Sequence, residues 1–397
     1  MSAFETRRDM FHLPEGITYL DGNSLGPLPK HAVDQARRTM TDQWGEMLIM
    51  GWNKADWMAL PGRLGDRIGR LIGAPADSTV VGDTLSIKVY QAVASALELR
   101  PGRKRVLSDN GNFPTDLYMA KGLIDSLGQG HDLKVVDPEA VADAIDESVA
   151  VVMLTHVDYR TGRLHDMAAI TRKAHEAGAL MIWDLAHSAG ALPVDLAGCN
   201  ADFAVGCTYK YLNGGPGAPA FIYVRPDLID QVRPALSGWL GHAAPFAFDL
   251  DYRPGEGISR MRVGTPPVLQ MAVLDAALDA FDGGDMADIR ARSIELSEQF
   301  IAQVEASCEK VELASPRDPQ ARGSQVSFRF AEGYAVMQAL IARGVIGDFR
   351  APDIMRFGFC PLYNTADDVT TAAAAMADII ATGEWNQPQF KTRKAVT

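Results

Sequence analysis

Tyr209 and Lys210 stand side by side after the apolar run Ala201–Thr208 and before the turn Tyr-Leu-Asn-Gly-Gly (211–215). A lysine carried past the end of a buried strand into a glycine-rich turn can be desolvated, which favours its neutral amine and suits it to imine formation. A lone Tyr-Lys pair is more often an ordinary surface lysine, so the reading depends on what accompanies it. The segment Ala179–Gly190 reads as another buried strand ending at Asp184, with His187 three residues later on the outgoing turn. An acid and an imidazole at the carboxyl end of a strand line the crevice where open α/β sheets bind ligands. Asp184 there would pair with a protonated heterocyclic nitrogen, the arrangement that lets pyridoxal phosphate act as an electron sink. An N-cap aspartate and a satisfied core histidine are the plain alternatives; the company of Lys210 favours the chemical reading.

Two further stretches suit such a group. Gly-Asp-Thr-Leu-Ser-Ile-Lys-Val (82–89) sets Asp83 and Thr84 before a helical pattern running through Tyr90 and Val93. Free first-turn amides and the Thr84 hydroxyl can receive an anion, although ordinary capping gives the same pattern. The stretch is neither a dinucleotide-binding glycine turn nor a Gly-Lys-Thr loop. In Asn-Gly-Asn-Phe-Pro-Thr-Asp (110–116), Phe113 sits on a turn fixed by Pro114, where its ring can stack on a flat heterocycle or simply pack beneath a loop.

These residues need a scaffold that brings strand ends together. Strand-like runs at 103–108, 148–156, 179–184, 201–207 and 220–224 alternate with helical runs from about 58 to 290, the signature of a doubly wound α/β sheet. Residues 1–45 form an arm with a helix through His31–Trp44, and 46–290 the large domain. Residues 291–397 form a smaller α+β domain, with a strand at 325–330 and helices at 334–343 and 366–382; a long helix over Met286–Cys308 leaves the sheet. The length of 397 residues, with 36 Gly and 22 Pro, fits an α/β enzyme with many strand-helix turns. A net charge of -12 without a basic stripe argues against general nucleic-acid binding. Cys199, Cys207, Cys308 and Cys360 lack metal-site spacing, so no metal and reduced, structural thiols are expected. The start Met-Ser-Ala-Phe-Glu-Thr-Arg-Arg has no apolar signal core, and hydrophobic runs fall short of the roughly 20 residues needed to cross a bilayer, so the cytoplasm is the default.

The order of motifs resembles the kynureninase family, within the fold type I pyridoxal phosphate enzymes, over nearly the whole chain. Leu-Asp-Gly-Asn-Ser-Leu-Gly (20–26), Asn-Phe-Pro-Thr-Asp (112–116), Ile-Trp-Asp-Leu-Ala-His-Ser-Ala-Gly (182–190), Gly-Cys-Thr-Tyr-Lys-Tyr-Leu-Asn-Gly-Gly-Pro-Gly (206–217), Ser-Gly-Trp-Leu-Gly-His (237–242) and Met-Arg-Phe-Gly-Phe (355–359) carry it. The resemblance implies a mainly parallel seven-stranded sheet flanked by helices, beside a smaller α+β domain. It makes Lys210 the lysine that bonds the cofactor, Asp184 the partner of its ring nitrogen, and His187 a neighbour of the ring. Phe113 stacks on the ring and Asp116 lies near its phenolic side. Thr84 and the Leu85 amide cradle the phosphate with Tyr209, while Trp239 and Thr265 approach it within a homodimer whose sites lie at the subunit interface.

For the substrate, the resemblance implies Arg356 on the α-carboxylate and Asn23, Ser24, Trp52 and His242 around the aryl ketone. The implied reaction is hydrolysis of L-kynurenine, or its 3-hydroxy form, to anthranilate or 3-hydroxyanthranilate and L-alanine. Tyr209 serves as a general acid or base. Lys88 stands where the family commonly has Asn, Leu85 where many bacterial relatives have Thr, and Cys360 where Thr is frequent. A cysteine desulfurase would share the fold and lysine but usually has His before that lysine and a catalytic Cys on a mobile flap. An aminotransferase would diverge only late in the reaction, and a binding or assembly protein would be expected to have lost Lys210, Asp184 or Arg356.

Overall fold

Seven short runs pair into one sheet in the computed structural model, which describes residues 7–393. They are β1 (Thr79–Val81), β2 (Arg105–Asp109), β3 (Asp132–Val136), β4 (Val149–Thr155), β5 (Leu180–Asp184), β6 (Phe203–Gly206) and β7 (Phe221–Val224). Their order across the sheet is β1-β7-β6-β5-β4-β2-β3. Strands β2 to β6 run parallel, and β7 is antiparallel to both β6 and β1. The strand order reverses beside β2 and β4, which opens a crevice at their carboxyl ends.

Alternation along each strand supplies both faces of the sheet. In β5, Leu180 and Ile182 join Val89 and Val93 of helix Leu85–Glu98 in one core, while Met181 and Trp183 join Leu64 and Ile68 of helix Leu60–Leu71 in the other. Trp183 keeps its polar edge satisfied by donating Nε1–H to Thr171 Oγ1 at 3.0 Å. Full burial of a side chain such as Ile182 contributes about 1.5–3 kcal/mol.

A second, antiparallel sheet has the order Glu312–Leu313, Gln325–Arg329, Ile354–Gly358, Asp348–Arg350. Helices Met286–Ser307, Gly333–Ala342 and Ala366–Thr382 share its core, in which the Phe300 and Phe357 rings lie 4.8 Å apart. The last helix begins at a reciprocal Thr365–Asp368 capping box and ends at Gly383 in a left-handed conformation. The N-terminal segment touches both sheets. Leu20 donates its N–H to Ile346 and its carbonyl accepts from Gly358 N–H, both at 2.7 Å, while Gly26 N–H donates to Tyr209 O at 2.8 Å.

The structure differs from the sequence reading at several elements, among them strands Glu312–Leu313, Asp348–Arg350 and Ile354–Gly358 of the second sheet, which were not anticipated. The helix expected over His31–Trp44 is α-helical only over Lys30–Arg38, then widens into a π-type coil over Thr39–Glu46. The Thr39 and Thr41 hydroxyls donate to the Gln35 and Arg37 carbonyls at 2.8 and 2.9 Å, competing with the helical ladder. Strands β1 and β3 were not anticipated: β1 is only three residues long, and β3 is a partly exposed edge strand with mixed polarity. Residues 1–6, most of the start Met-Ser-Ala-Phe-Glu-Thr-Arg-Arg, and 394–397 lie outside the described residues. Among the described residues no helix is long and apolar enough to cross a membrane.

Helix Leu60–Leu71 lies so close to β1 that a Cβ on Gly65 would stand 2.0 Å from the Thr79 carbonyl oxygen. Gly65→Ala is expected to lower unfolding free energy by about 1–3 kcal/mol through overpacking, despite alanine's better helix propensity. Denaturant titration monitored by circular dichroism reads this directly; an unchanged or raised midpoint contradicts the packing account.

Candidate active site

Strand β5 delivers Asp184 to the carboxyl edge of the sheet, where it is 2 % exposed and its Oδ1 accepts the Ala186 N–H at 2.8 Å. That local turn swings His187 back over the strand end. Four residues beyond β6, Lys210 is fixed by a tight turn: Asn213 N–H donates to the Lys210 carbonyl and Gly214 N–H to that of Thr208, each at 2.9 Å. The two strand ends thus bring Lys210 Nζ to 2.9 Å from His187 Nε2. After β2, Asn112 Oδ1 accepts the Phe113 N–H at 2.7 Å, and Phe113 caps helix Pro114–Leu127. Its ring centroid lies 5.9 Å from Lys210 Nζ. Asp116, in the first turn of that helix, is buried beside Asp184.

Charge in this cluster is strongly conditioned. Burial, then the charges of Lys210, Arg356 and Arg350, drives the His187 pKa well below its ordinary value. A neutral imidazole results, able to accept from Lys210 through Nε2, while its buried Nδ1 has no partner. Burial raises Asp184 against the opposing pull of Lys210; burial and the Asp184 charge raise Asp116 much further. Asp116 is therefore the acid pushed further toward its neutral form. Cys207 and then burial raise the Tyr209 phenol, so it stays protonated at neutral pH.

A cleft lined by Asn23, Ser24, Phe113, Tyr159, His187, Tyr209, Lys210, Arg350 and Arg356 unites seven of the residues singled out from sequence with two that were not. Arg356 stands directly across the antiparallel ladder from Asp348. Its Nε donates to Asp348 Oδ1 at 2.6 Å and its Nη2 to Asp348 Oδ2 and, at 3.0 Å, Ser24 Oγ; Nη1 donates to the Tyr159 carbonyl. Arg350 Nη2 approaches the same Asp348 oxygen at 2.8 Å. For Asp348, burial alone would raise the pKa, but Arg356 and Arg350 outweigh it and hold the carboxylate below its usual value. Asp21 goes the other way, pushed up to about 8 by burial and then by Asp348.

Trp239, Thr265, Trp52, His242, Thr84 and Leu85 do not line this cleft. His242 is satisfied by the backbone, Nδ1 accepting from Ala244 N–H at 2.9 Å and Nε2 lying 3.2 Å from Asp251 O. Trp52 packs edge-on to Trp57, and Thr265 is exposed. Thr84 caps helix Leu85–Glu98, which leaves the Leu85 and Ser86 amides without intrahelical acceptors. Lys88 is fully buried in that helix and bonded to Asp83 Oδ2, Gln91 Oε1 and Met261 O at 3.0, 2.9 and 3.1 Å. A larger hollow of about 1010 Å³ lies between helix Leu60–Leu71 and segment 256–262. Its walls hold surface acids and arginines, of which the buried Arg260 is already paired with Asp230 at 2.6 Å, and no lysine, so the smaller cleft is the better candidate.

The chain is 50% identical to a kynureninase from Pseudomonas fluorescens over 397 residues, covering 98% of this chain and 95% of that protein. A kynureninase from Burkholderia mallei (strain SAVP1) matches at the same identity and coverage. The chain belongs to the kynureninase family. The family model for the kynureninase C-terminal domain matches residues 289–376. Among solved structures, the apo cysteine desulfurase of Thermococcus onnurineus NA1 superposes with a TM-score of 0.80 at 18% identity, covering 96% of this chain and 99% of that one. The cysteine desulfurase CsdA of Escherichia coli gives the same TM-score, identity and coverage. At that identity the likeness establishes the fold.

The residues present fit the flat, phosphorylated heterocycle that this family membership implies. The amine of Lys210, the Phe113 ring, the Asp184 carboxylate and the open helix amides suit its carbonyl, face, ring nitrogen and phosphate. The orphaned His187 Nδ1 and Asp116 Oδ2 are buried polar atoms in want of a partner. Asp348, Arg350, Tyr159 and Asp21 were missed from sequence; the signal available was two charges, Asp348 and Arg350, alternating with Phe349 beside an arginine-bearing strand.

Isotope-edited infrared titration should find the Asp21 carboxyl ionising near pH 8. Asp348→Asn should move that midpoint downward, since it removes the neighbouring negative charge. An Asp21 midpoint in the ordinary carboxylate range contradicts this electrostatic account.

Proposed function

We propose that this chain binds pyridoxal 5'-phosphate on Lys210 and hydrolyses L-kynurenine, with the 3-hydroxy form as a second substrate. Water and L-kynurenine give anthranilate and L-alanine, with cleavage of the Cβ–Cγ bond. The observation that carries this reading is Lys210 Nζ held 2.9 Å from a neutral His187 and sharing one cleft with Arg356, in a chain half identical to kynureninases along its length. When bound, pyridoxal phosphate supplies an electron sink that acidifies the substrate Cα.

The protein's own groups do the rest. Asp184, kept closer to ionisation by Lys210 and the Ala186 N–H, answers the positive ring nitrogen. Asp116 and His187 would lie close to the ring, Phe113 would stack on it, and Thr84 with the Leu85 amide would hold its phosphate. Arg356 binds the α-carboxylate, its guanidinium oriented by Asp348 so that less freedom is lost on binding. Lys210 moves the proton at Cα. Water then adds to the γ-carbonyl carbon, and the Tyr209 phenol, protonated at neutral pH, donates to the oxygen or carbanion that gains charge as the Cβ–Cγ bond breaks.

Mass-resolved product analysis of the cofactor-loaded protein with L-kynurenine should give equimolar anthranilate and alanine. Lys210→Ala should abolish both products, and Tyr209→Phe should lower kcat by about 10²–10⁴ while retaining the cofactor's visible absorption. A yellow protein that leaves kynurenine intact overturns the substrate assignment.

The same reading makes the protein a cytoplasmic homodimer. All four cysteines are free thiols, which suits a reducing compartment. Met40, Trp44, Leu48, Ile49 and Met50 form an exposed apolar series, and Phe246, Phe248 and Leu250 another; such exposure on a monomer marks an association surface. Trp239 packs edge-on to Phe246 of the second series, and with Thr265 it would meet the partner's phosphate site, with Trp52 and His242 reaching its substrate. Analytical ultracentrifugation should therefore find a dimer, and Ile49→Asp with Phe248→Asp should yield a folded monomer with little activity. A wild-type monomer of full activity rules this assembly out.

A further inference from the structure

We infer that the Asn23 side-chain amide is a second ligand of the substrate α-carboxylate, alongside Arg356. The inference rests on the proposed reading of Lys210 and Arg356 as cofactor and carboxylate residues, and assigns Asn23 to the carboxylate rather than to the aryl ketone.

Asn23 is completely buried, yet neither Nδ2 nor Oδ1 has a hydrogen-bond partner. Buried side-chain amides are nearly always paired, so one that lines a cleft with both ends free is built for something that enters it. Its position is tightly determined. Loop 20–26 is tied to strand Ile354–Gly358 through Leu20 O and to the Lys210 turn through Gly26 N–H. The side chain occupies space that exists only because residue 358 is glycine: a Cβ there would stand 2.2 Å from Asn23 Oδ1. Residues 356 and 358 lie on the same face of their strand, so the amide adjoins the guanidinium. An amino acid entering this cleft with its nitrogen toward Lys210 would have its carboxylate, one bond from Cα, within reach of Asn23 and Arg356, which line the same cleft.

Arg356 cannot hold that carboxylate alone by a two-pronged fork. Of its five N–H groups, Nε–H and both Nη2 hydrogens go to Asp348 and Ser24, and one Nη1 hydrogen goes to the Tyr159 carbonyl. One N–H remains. Ser24 Oγ is committed to Asp348, and the Arg350 fork is turned onto Asp348 and the Phe349 carbonyl. The free Asn23 Nδ2 supplies the missing donor for the second oxygen, from within the buried wall of the cleft.

The test uses the cofactor-loaded full chain and reads binding by titration of the cofactor's visible absorption. Ligands are L-kynurenine, plain L-alanine, and the amine analogue of kynurenine that lacks the carboxyl group. Asn23→Ala is expected to raise Kd for L-kynurenine and L-alanine about tenfold to a hundredfold, the loss of one charge-assisted hydrogen bond, and to leave Kd for the amine analogue within about twofold. Asn23→Asp keeps the shape without the donor, serves if Asn23→Ala fails to fold, and should weaken both carboxylate ligands at least as much. Equal weakening of all three ligands, or of none, overturns the inference. If the wild type binds L-alanine but not L-kynurenine, the proposed substrate falls while the Asn23 assignment is still decided by alanine.

Discussion

The site depends on loop 20–26 being bonded at one end to the small sheet and at the other to the turn that follows β6. Leu20 O accepts from Gly358 N–H, and Gly26 N–H donates to Tyr209 O. Through these two bonds the small sheet, which carries Arg356 and Asp348, is held against the turn that carries Lys210. A Cβ on Gly26 would lie 2.5 Å from the Lys210 carbonyl oxygen and one on Gly22 1.9 Å from the Tyr363 hydroxyl, so only glycine lets the loop approach both sides. Of the three residues between those glycines, Asn23 and Ser24 line the cleft.

Within that frame, burial sets the protonation of each group. Water is excluded from Asp184, Asp116 and His187, and each moves toward its neutral form to the extent that no opposite charge compensates it. Lys210 pulls both acids down, but for Asp184 it is the main charge set against burial, so Asp184 moves less; at Asp116 the Asp184 charge adds to burial, so Asp116 moves more. The same rule divides Asp348, paired with two arginines and ionised, from Asp21, which lacks such a pair. Breaking the buried Arg356–Asp348 pair by removing either partner would cost about 3–5 kcal/mol, so the pair is structural as well as preparatory for binding.

Much of the scaffold was legible because apolar runs that satisfy two cores at once have few other uses. Strands β2, β4, β5, β6 and β7 fall where the sequence indicates, and Lys210, Asp184 and His187 stand out because polar residues at the ends of such runs are conspicuous. Asp348 was not legible: its meaning comes from lying across the ladder from Arg356, and register between strands is absent from any single run. Tyr159 contributes a carbonyl to Arg356, a role independent of side-chain type. Trp239, Thr265, Trp52 and His242 were chosen by family pattern and lie on segments outside this chain's own cleft, so no reading of local periodicity could have joined them to Lys210.

The pairing of residue 20 with residue 358 also bears on the chain's birth. The large sheet can form once β7 has left the ribosome, since all its strands are then available. The carboxylate wall cannot, because it needs Ile354–Gly358 to return to a loop made near the start, a contact of very long sequence separation. Lys210 is thus synthesised and seated well before Arg356 arrives, and through that interval the nascent protein has its amine-bearing turn but no means of recognising an amino acid.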